Sequence, residues 1–128
     1  MKKMIRLSLL INITVLMPVC WGLLADATWT VDVYGAETAA RDILLSMYSA
    51  ILVLSILLLF SRNVLLVVPL LLVQVIYKLT TPFTVGSFSN PVVISNIFIA
   101  VMHIATLSFI WRECQRSVSV RSPPAREN

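Results

Sequence analysis

The sequence is poor in charged residues. Only 12% of its 128 residues are Asp, Glu, Lys or Arg, whereas 59% are hydrophobic and the mean hydropathy is +0.92. A soluble domain carries about 25% charged residues, and a chain of this length buries only about two thirds of its surface on folding. Folding alone cannot hide so much apolar surface from water. The composition therefore excludes an ordinary soluble domain and predicts a single domain whose surplus apolar side chains face lipid.

Cysteine and histidine are also scarce. The two cysteines, Cys20 and Cys114, are expected near opposite faces of a membrane, so no disulfide is predicted between them. The sequence has one histidine and no Cys-x-x-Cys or carboxylate–histidine cluster, so no metal site is predicted. No nucleophile elbow, phosphate-binding loop or dinucleotide fingerprint occurs, and no basic patch is interleaved with aromatic residues. The sequence thus predicts no metal, no cofactor and no nucleic-acid partner.

Four apolar runs cover about 7–24, 43–60, 64–79 and 92–111. A helix needs about 20 residues to cross the hydrocarbon core of a bilayer, and the polar edge of a strand would lack partners in lipid. The third run is short, but residues up to 83 can extend it into the interface. The predicted fold is all-α, a polytopic membrane protein with a four-transmembrane-helix bundle over 1–116. The polar segment 117–128 is predicted to be a disordered tail.

Basic residues alternate with the apolar runs. With a cytoplasmic N-terminus, eight Lys or Arg fall inside and two outside, which favours that orientation by the positive-inside rule. Both termini and the tail are then cytoplasmic. The outer basic residues are Arg41 and Lys78. The inner residues are Lys2, Lys3, Arg6, Arg62, Arg112, Arg116, Arg121 and Arg126.

The connections between the runs differ in length. Residues 61–63 are predicted to form a tight turn, which makes the second and third helices an antiparallel hairpin. The segment 25–40 is the longest outer connection, and its Trp29 and Tyr34 suit a membrane surface. The segment 81–91 is predicted to be an outer loop that ends where Asn90 caps the fourth helix and Pro91 takes its first position.

The N-terminal segment has a second interpretation. Basic residues, an apolar run and Ala25-Asp26-Ala27 together are typical of a signal peptide with its cleavage site. The run of about 18 residues is longer than the usual apolar core of about 7–15, which favours a retained helix. Cleavage would leave three helices with the same orientation.

Polar side chains at membrane depth are costly and are therefore candidate functional positions. Lys78, near the outer end of the third run, shares a helical face with Gln74, Tyr77 and Thr81. It either belongs to a polar pocket that grips a ligand or extends to the headgroups and pairs with Asp42 for stability. The candidates are His103, Asn96, Asn12, Gln74, Lys78 and Asp42.

His103 lies near the middle of the fourth run. Asn96, Ala100, His103 and Thr106 follow helical spacing, so this stripe is predicted to face the bundle interior. His103 could relay a proton or ligate a cofactor. The alternative is a structural hydrogen bond to Asn12, a serine or a nearby carbonyl, and the absence of a second histidine favours this alternative.

The layout resembles a known family. The second helix opens with Ala-Arg-Asp-Ile-Leu-Leu-Ser-Met-Tyr (residues 40–48), a tight basic turn follows, and the fourth helix begins with Asn90-Pro91. Over about 5–112 the chain is similar to small DoxX-like four-helix proteins of the bacterial inner membrane, whose function is largely unknown. The resemblance implies a four-helix bundle in that membrane and supplies no catalytic residue.

The sequence is consistent with three functions. The first is an accessory subunit that acts through helix packing with a membrane-protein partner or a second copy of itself. The second is a small transporter or an immunity-type protein that recognises a membrane-inserted ligand through Gln74, Lys78 and the 81–91 loop. The third is an enzyme acting on a lipid or quinone with His103 as acid or base. The few polar groups favour a protein that is not an enzyme.

Overall fold

In the computed structural model, which describes residues 2–61 and 63–121 (118–121 by backbone only), the described chain contains helices and no strand. Four helical segments are long and apolar enough to cross a membrane. This confirms the predicted all-α architecture with four spanning segments. The helices are α1 (Lys2–Leu24), α2 (Thr28–Tyr34), α3 (Ala39–Leu59), α4 (Val67–Val85) with a preceding 3-10 turn (Val64–Leu66), and α5 (Pro91–Arg121).

The spanning helices extend beyond the apolar runs that predicted them. Helix α4 continues through Pro82 to Val85, so the predicted loop 81–91 shrinks to 86–90. Helix α5 continues to Arg121, past the residue at which the disordered tail was predicted to begin, and 122–128 lie outside the described residues. Hydropathy marks the part of a helix that suits hydrocarbon, whereas backbone hydrogen bonds continue into polar flanks until a capping residue ends them.

Local capping sets several helix ends. Thr38 Oγ1 accepts a hydrogen bond from the Arg41 backbone N–H at 3.3 Å and starts α3. Asn90 Oδ1 accepts from the Val92 N–H at 2.8 Å, and α5 begins at Pro91 as predicted. Gly86 closes α4 with a left-handed φ of 69°, a conformation that glycine adopts without the steric cost of a Cβ.

Consecutive spanning helices pack together at the start and at the end of the chain, but not in its middle. Helix α1 packs mainly against α3, and α4 packs mainly against α5, while α3 and α4 touch little. The predicted tight turn includes Arg62, which lies outside the described residues, and the helices on its two sides do not pack as the predicted hairpin pair. In the described chain every interhelical side-chain hydrogen bond among the spanning helices joins α1 to α3 or α5, or α4 to α5. These bonds favour the observed pairs and leave a gap between α3 and α4.

The bundle has two ends with different contents. The α2 end contains Leu24, α2, Ala39, Val85 and Pro91. The turn end contains Lys2, Phe60, Ser61, Asn63, Val64 and the end of α5. An apolar cluster lies near each end, and the polar candidates lie between and beside these clusters. The cluster at the turn end contains Ile5, Leu9, Val67, Leu71 and Ile110. The cluster at the α2 end contains Leu16, Leu23, Tyr48 and Ile51.

Candidate functional site

Five of the six predicted candidates lie inside the bundle. Asp42 is the exception, since it is exposed in the first turn of α3. The prediction that the α5 stripe faces the interior is confirmed, because Asn96, Ala100, His103 and Thr106 are all buried. The exposed fractions of the five are 0% for His103 and Gln74, 2% for Asn12, 3% for Lys78 and 4% for Asn96.

Asn12 links three helices near the middle of the bundle. His103 Nε2 donates a hydrogen bond to Asn12 Oδ1 at 3.0 Å, and Asn12 Nδ2 donates to Ser55 Oγ at 3.2 Å. One turn closer to the turn end, the Ser8 and Thr106 hydroxyls are 2.7 Å apart. The predicted hydrogen bond between His103 and Asn12 is therefore confirmed. This cluster cross-links α1, α3 and α5, as polar side chains commonly do inside membrane bundles.

Some buried polar atoms have no partner within the described part of the chain. They are both amide atoms of Gln74, the Nδ1 of His103 and the hydroxyl of Tyr77. Gln74 lies one turn from Lys78 on the same face of α4. An unsatisfied buried polar group costs about 1–3 kcal/mol. Water or the polar part of a ligand entering the bundle would remove that cost.

Lys78 is held inside the bundle by α5. Its Nζ donates to Asn96 Oδ1 at 2.9 Å and lies 4.8 Å from the centre of the Tyr77 ring. Asn96 Nδ2 donates to Thr81 Oγ1 at 3.4 Å, which turns the amide oxygen toward the lysine. Lys78 therefore does not extend to the headgroups. The proposed pairing with Asp42 is wrong, because α3 and α4 do not pack closely and Asp42 faces outward.

A cavity of about 230 Å³ lies beside Lys78 at the α2 end, and we refer to it as the lysine cavity. Its walls come from all four spanning helices and from α2, and they include Asn96, Trp29, Tyr34 and Tyr48. The Tyr34 and Tyr48 rings meet edge to face with centroids 6.3 Å apart. Burial, followed by the effect of Tyr48, raises the pKa of Tyr34 above its usual range. The Tyr34 hydroxyl is therefore a neutral donor at physiological pH.

Two further spaces share wall residues with the lysine cavity or with each other. A cavity of about 460 Å³ shares Tyr34 and Tyr48 with the lysine cavity and also contacts Tyr77. Tyr77 in turn lines an apolar groove of about 610 Å³ between α3 and α4, the α3–α4 groove. The three spaces therefore follow one another from the apolar face of the bundle to Lys78, with tyrosine side chains as their shared walls. The groove is lined by Met47, Ala50, Ile51, Leu54, Leu58, Leu66, Pro69, Leu70, Val73 and Tyr77.

Arg41 attaches α2 to the bundle. It is only 5% exposed, and its guanidinium donates to Gly35 O at 3.0 Å, Asp26 Oδ1 at 2.6 Å, Thr30 Oγ1 at 3.3 Å and Leu23 O at 3.5 Å. These acceptors lie at the end of α1, in the link to α2, and in and after α2. A single side chain thereby fixes three chain segments around the lysine cavity, and we refer to this group as the Arg41 clasp.

Gly22 lets α2 lie directly on α1. A Cβ at this position would overlap the Trp29 ring and lie 2.9 Å from Thr30 Cγ2. Thr30 is fully buried and donates to Ala27 O at 2.6 Å. Close approach of the two helices therefore requires glycine at this point. The close approach of α2 to α1 places Trp29 in the wall of the lysine cavity.

Several residues of this region have contacts that the sequence did not predict. Arg41, Tyr48 and Ser55 are buried on α3 at seven-residue intervals, a spacing that places them on one helical face. Ser8 and Asn12 are four residues apart on α1, which also places them on one face. These intervals were the available signal. No comparable signal marked α2, because seven residues of mixed polarity do not define a period.

Comparison of the chain with protein-family models, curated proteins and solved structures finds no match. The DoxX-like resemblance therefore stays a prediction.

Proposed function

We propose that the protein recognises an amphiphile with an anionic head and an apolar tail. The head occupies the lysine cavity beside Lys78, and the tail lies in the α3–α4 groove. The observation that carries the proposal is a buried lysine next to a cavity, with no carboxylate within ion-pair distance in the described chain. The protein would act as a ligand-recognising membrane protein or a small transporter.

The charge of Lys78 supports an anionic head. An ammonium group taken out of water needs a countercharge or several hydrogen bonds, and Asn96 supplies one acceptor at 2.9 Å. Asp26, three residues from Trp29 in the cavity wall, is already bound by Arg41 at 2.6 Å, and Asp32, next to Val33, is exposed. A carboxylate or phosphate in the cavity would pair with the ammonium and accept from the neutral Tyr34 hydroxyl.

The α3–α4 groove supports an apolar tail. It contains no charged side chain, and Tyr77 is a wall shared by the groove and the space next to the lysine cavity. Ligand sites commonly have volumes of about 300–1,000 Å³ and combine apolar walls with a few polar groups. A ligand that enters sideways from the lipid would thus keep its tail in apolar surroundings while its head reaches Lys78.

The proposal includes an orientation in a bacterial cytoplasmic membrane. The eight-to-two distribution of basic residues supports a cytoplasmic turn end with both termini inside. Arg41 and Lys78, the two exceptions, are buried in the Arg41 clasp and the lysine cavity. Reporter fusions test this, and activity of a periplasmic reporter fused at Arg116 would contradict it.

Quenching of Trp29 fluorescence tests ligand recognition. In a protein that keeps Trp29 but carries Trp21→Phe and Trp111→Phe, a long-chain fatty acid brominated at carbon 2 should quench the emission, because this carbon would lie with the carboxylate in the lysine cavity that Trp29 lines. Its methyl ester should quench much less. Lys78→Met should weaken binding of the acid by about 30-fold or more, because loss of one partner of a buried charge pair costs about 2–5 kcal/mol. Removing a buried charge is not expected to unfold the bundle.

Asp42→Asn is the matched control, since it removes an exposed charge outside the lysine cavity. It should leave quenching unchanged. Equal quenching by acid and ester, or undiminished binding of the acid to the Lys78→Met protein, would refute the proposal.

A second candidate function is an accessory subunit whose partner places an apolar helix in the α3–α4 groove. The observation in its favour is the groove itself, which loose packing of α3 on α4 leaves open. Val73→Trp would fill it, and Val101→Trp is the control, since these residues are 56% and 57% exposed and Val101 does not line the groove. Loss of a stoichiometric partner from a gentle-detergent pull-down in the first variant alone would support this function. An unchanged pull-down would contradict it.

The third function, an enzyme that uses His103 as acid or base, stays a prediction. His103→Gln should alter the pH dependence of the activity of such an enzyme. An unaltered pH dependence would contradict the role of His103 as acid or base.

A further inference from the structure

A cavity of about 590 Å³ at the turn end plays no part in the proposed function. It lies between the first turns of α1, the end of α3 and the 3-10 turn that leads into α4. Lys2 and Arg6 line it, and both are exposed. They are four residues apart and therefore share one face of α1. The cavity thus has a basic rim.

Apolar side chains line much of this cavity, although polar atoms make up the larger part of its accessible wall. Ile5, Leu9 and Val67 line it, and they belong to the buried cluster at the turn end. No acidic side chain lines it. Glu113 is the acidic residue that the structure describes at this end, and it lies on α5 with its carboxylate 4.0 Å from Arg116. The positive charge of Lys2 and Arg6 is therefore not neutralised within the described chain.

We propose that this cavity binds the headgroup of an anionic phospholipid. The lipid phosphate would lie between Lys2 and Arg6, and the glycerol and the first carbons of the chains would lie against Ile5 and Leu9. Val64 also lines the cavity, which places the positive end of the α4 dipole nearby. A basic site between membrane helices is the chemistry that binds acidic headgroups.

The apolar side chains at the edge of the cavity favour a lipid over free phosphate. A phosphate ion would gain only the two basic side chains, whereas a lipid also covers the exposed apolar wall. Phe60, which lines the cavity, is 81% exposed. The inference is independent of the lysine cavity, since the two sites lie at opposite ends of the bundle and share no lining residue.

Native mass spectrometry of the full chain in detergent tests the proposal. The probes are phosphatidylglycerol, phosphatidylcholine with the same chains, and inorganic phosphate. K2Q/R6Q should weaken binding of the first phosphatidylglycerol by about 30-fold, or about fivefold for each basic side chain. Phosphatidylcholine should bind the wild-type and variant proteins equally.

K3Q/R116Q is the matched control, because it removes two positive charges from the same end and neither residue lines the cavity. It should weaken binding by less than about fivefold. Val64→Phe narrows the cavity with every charge in place, and it should also weaken binding of phosphatidylglycerol. Equal losses in the two double variants, equal binding of the two lipids by wild type, or displacement of lipid by an equal concentration of phosphate would overturn the proposal.

Discussion

The Arg41 clasp leads to an asymmetric prediction. If the clasp held α2 through a simple ion pair, removing either partner would have the same effect. The geometry differs from that case, because Arg41 contacts four acceptors and Asp26 is only one of them. The Arg41 side chain is 4% exposed, whereas that of Asp26 is 55% exposed. Arg41→Met should therefore destabilise α2 much more than Asp26→Asn does.

The two effects can be sized from the contacts. The bonds from Arg41 to Gly35 O and Asp26 Oδ1 are the short ones, at 3.0 and 2.6 Å. A hydrogen bond that involves a charged group contributes about 1.5–3 kcal/mol, so losing both costs about 3 kcal/mol at the lower figure. In Asp26→Asn the amide oxygen still accepts, and a half-exposed ion pair contributes less than about 1 kcal/mol.

Hydrogen exchange measures this difference locally. The Val31 and Gly35 amides bond to Ala27 O and Val31 O within and after α2, so their exchange reports the opening of that helix. A cost of about 3 kcal/mol corresponds to exchange on the order of 100-fold faster in Arg41→Met, and Asp26→Asn should accelerate it by about fivefold or less. Amides of α4 and α5 should be unaffected in both variants.

Arg116→Met is the control. This arginine has a side chain that is 78% exposed and lies 4.0 Å from Glu113 at the opposite end, so its loss should leave α2 exchange unchanged. Equal acceleration in Asp26→Asn and Arg41→Met would refute the asymmetric clasp. An unchanged exchange rate in Arg41→Met would show that packing alone holds α2.

Two further predictions concern close packing and the buried polar cluster. In the protein that keeps only Trp29, Gly22→Ala should displace Trp29 and shift its fluorescence, because a Cβ would overlap the indole ring. Ala25→Gly, at an exposed position, should not shift it. An unchanged Trp29 spectrum in Gly22→Ala would argue against the close approach of α1 and α2. In a double-mutant cycle with Asn12→Ala and His103→Ala, unfolding in detergent should give a coupling of about 0.6–1.7 kcal/mol. Additive effects would mean that their 3.0 Å hydrogen bond contributes nothing to stability.

Much of the architecture was predictable because it depends on local properties. Apolar runs identify segments suited to lipid, and the Asn90-Pro91 pair predicts where α5 begins. Periodicity also places Asn96 and His103 on one interior face. These features require only the solvent preference of each residue and the pitch of a helix, and both can be read from the order of residues.

The environment of the lysine cavity was less predictable. The four runs are similarly apolar, so their composition does not specify which helices become neighbours. The sequence therefore suggested Asp42 as the partner of Lys78, on the assumption that α3 and α4 pack together. In the structure α5 is the neighbour of α4, and Asn96 takes that role. A polar group bonds to whichever partner the packing brings within reach.

The sequence alone thus determined that the chain forms apolar helices and which of their faces carry polar groups, because hydrophobicity and helical period act locally. Only the tertiary structure decided that α2 packs against the end of α1, that Arg41 holds it there and that a groove remains between α3 and α4. Those features depend on contacts between residues distant in the chain, such as Arg41 with Leu23 and Asn12 with His103. Such contacts form only when the helices pack together in this arrangement.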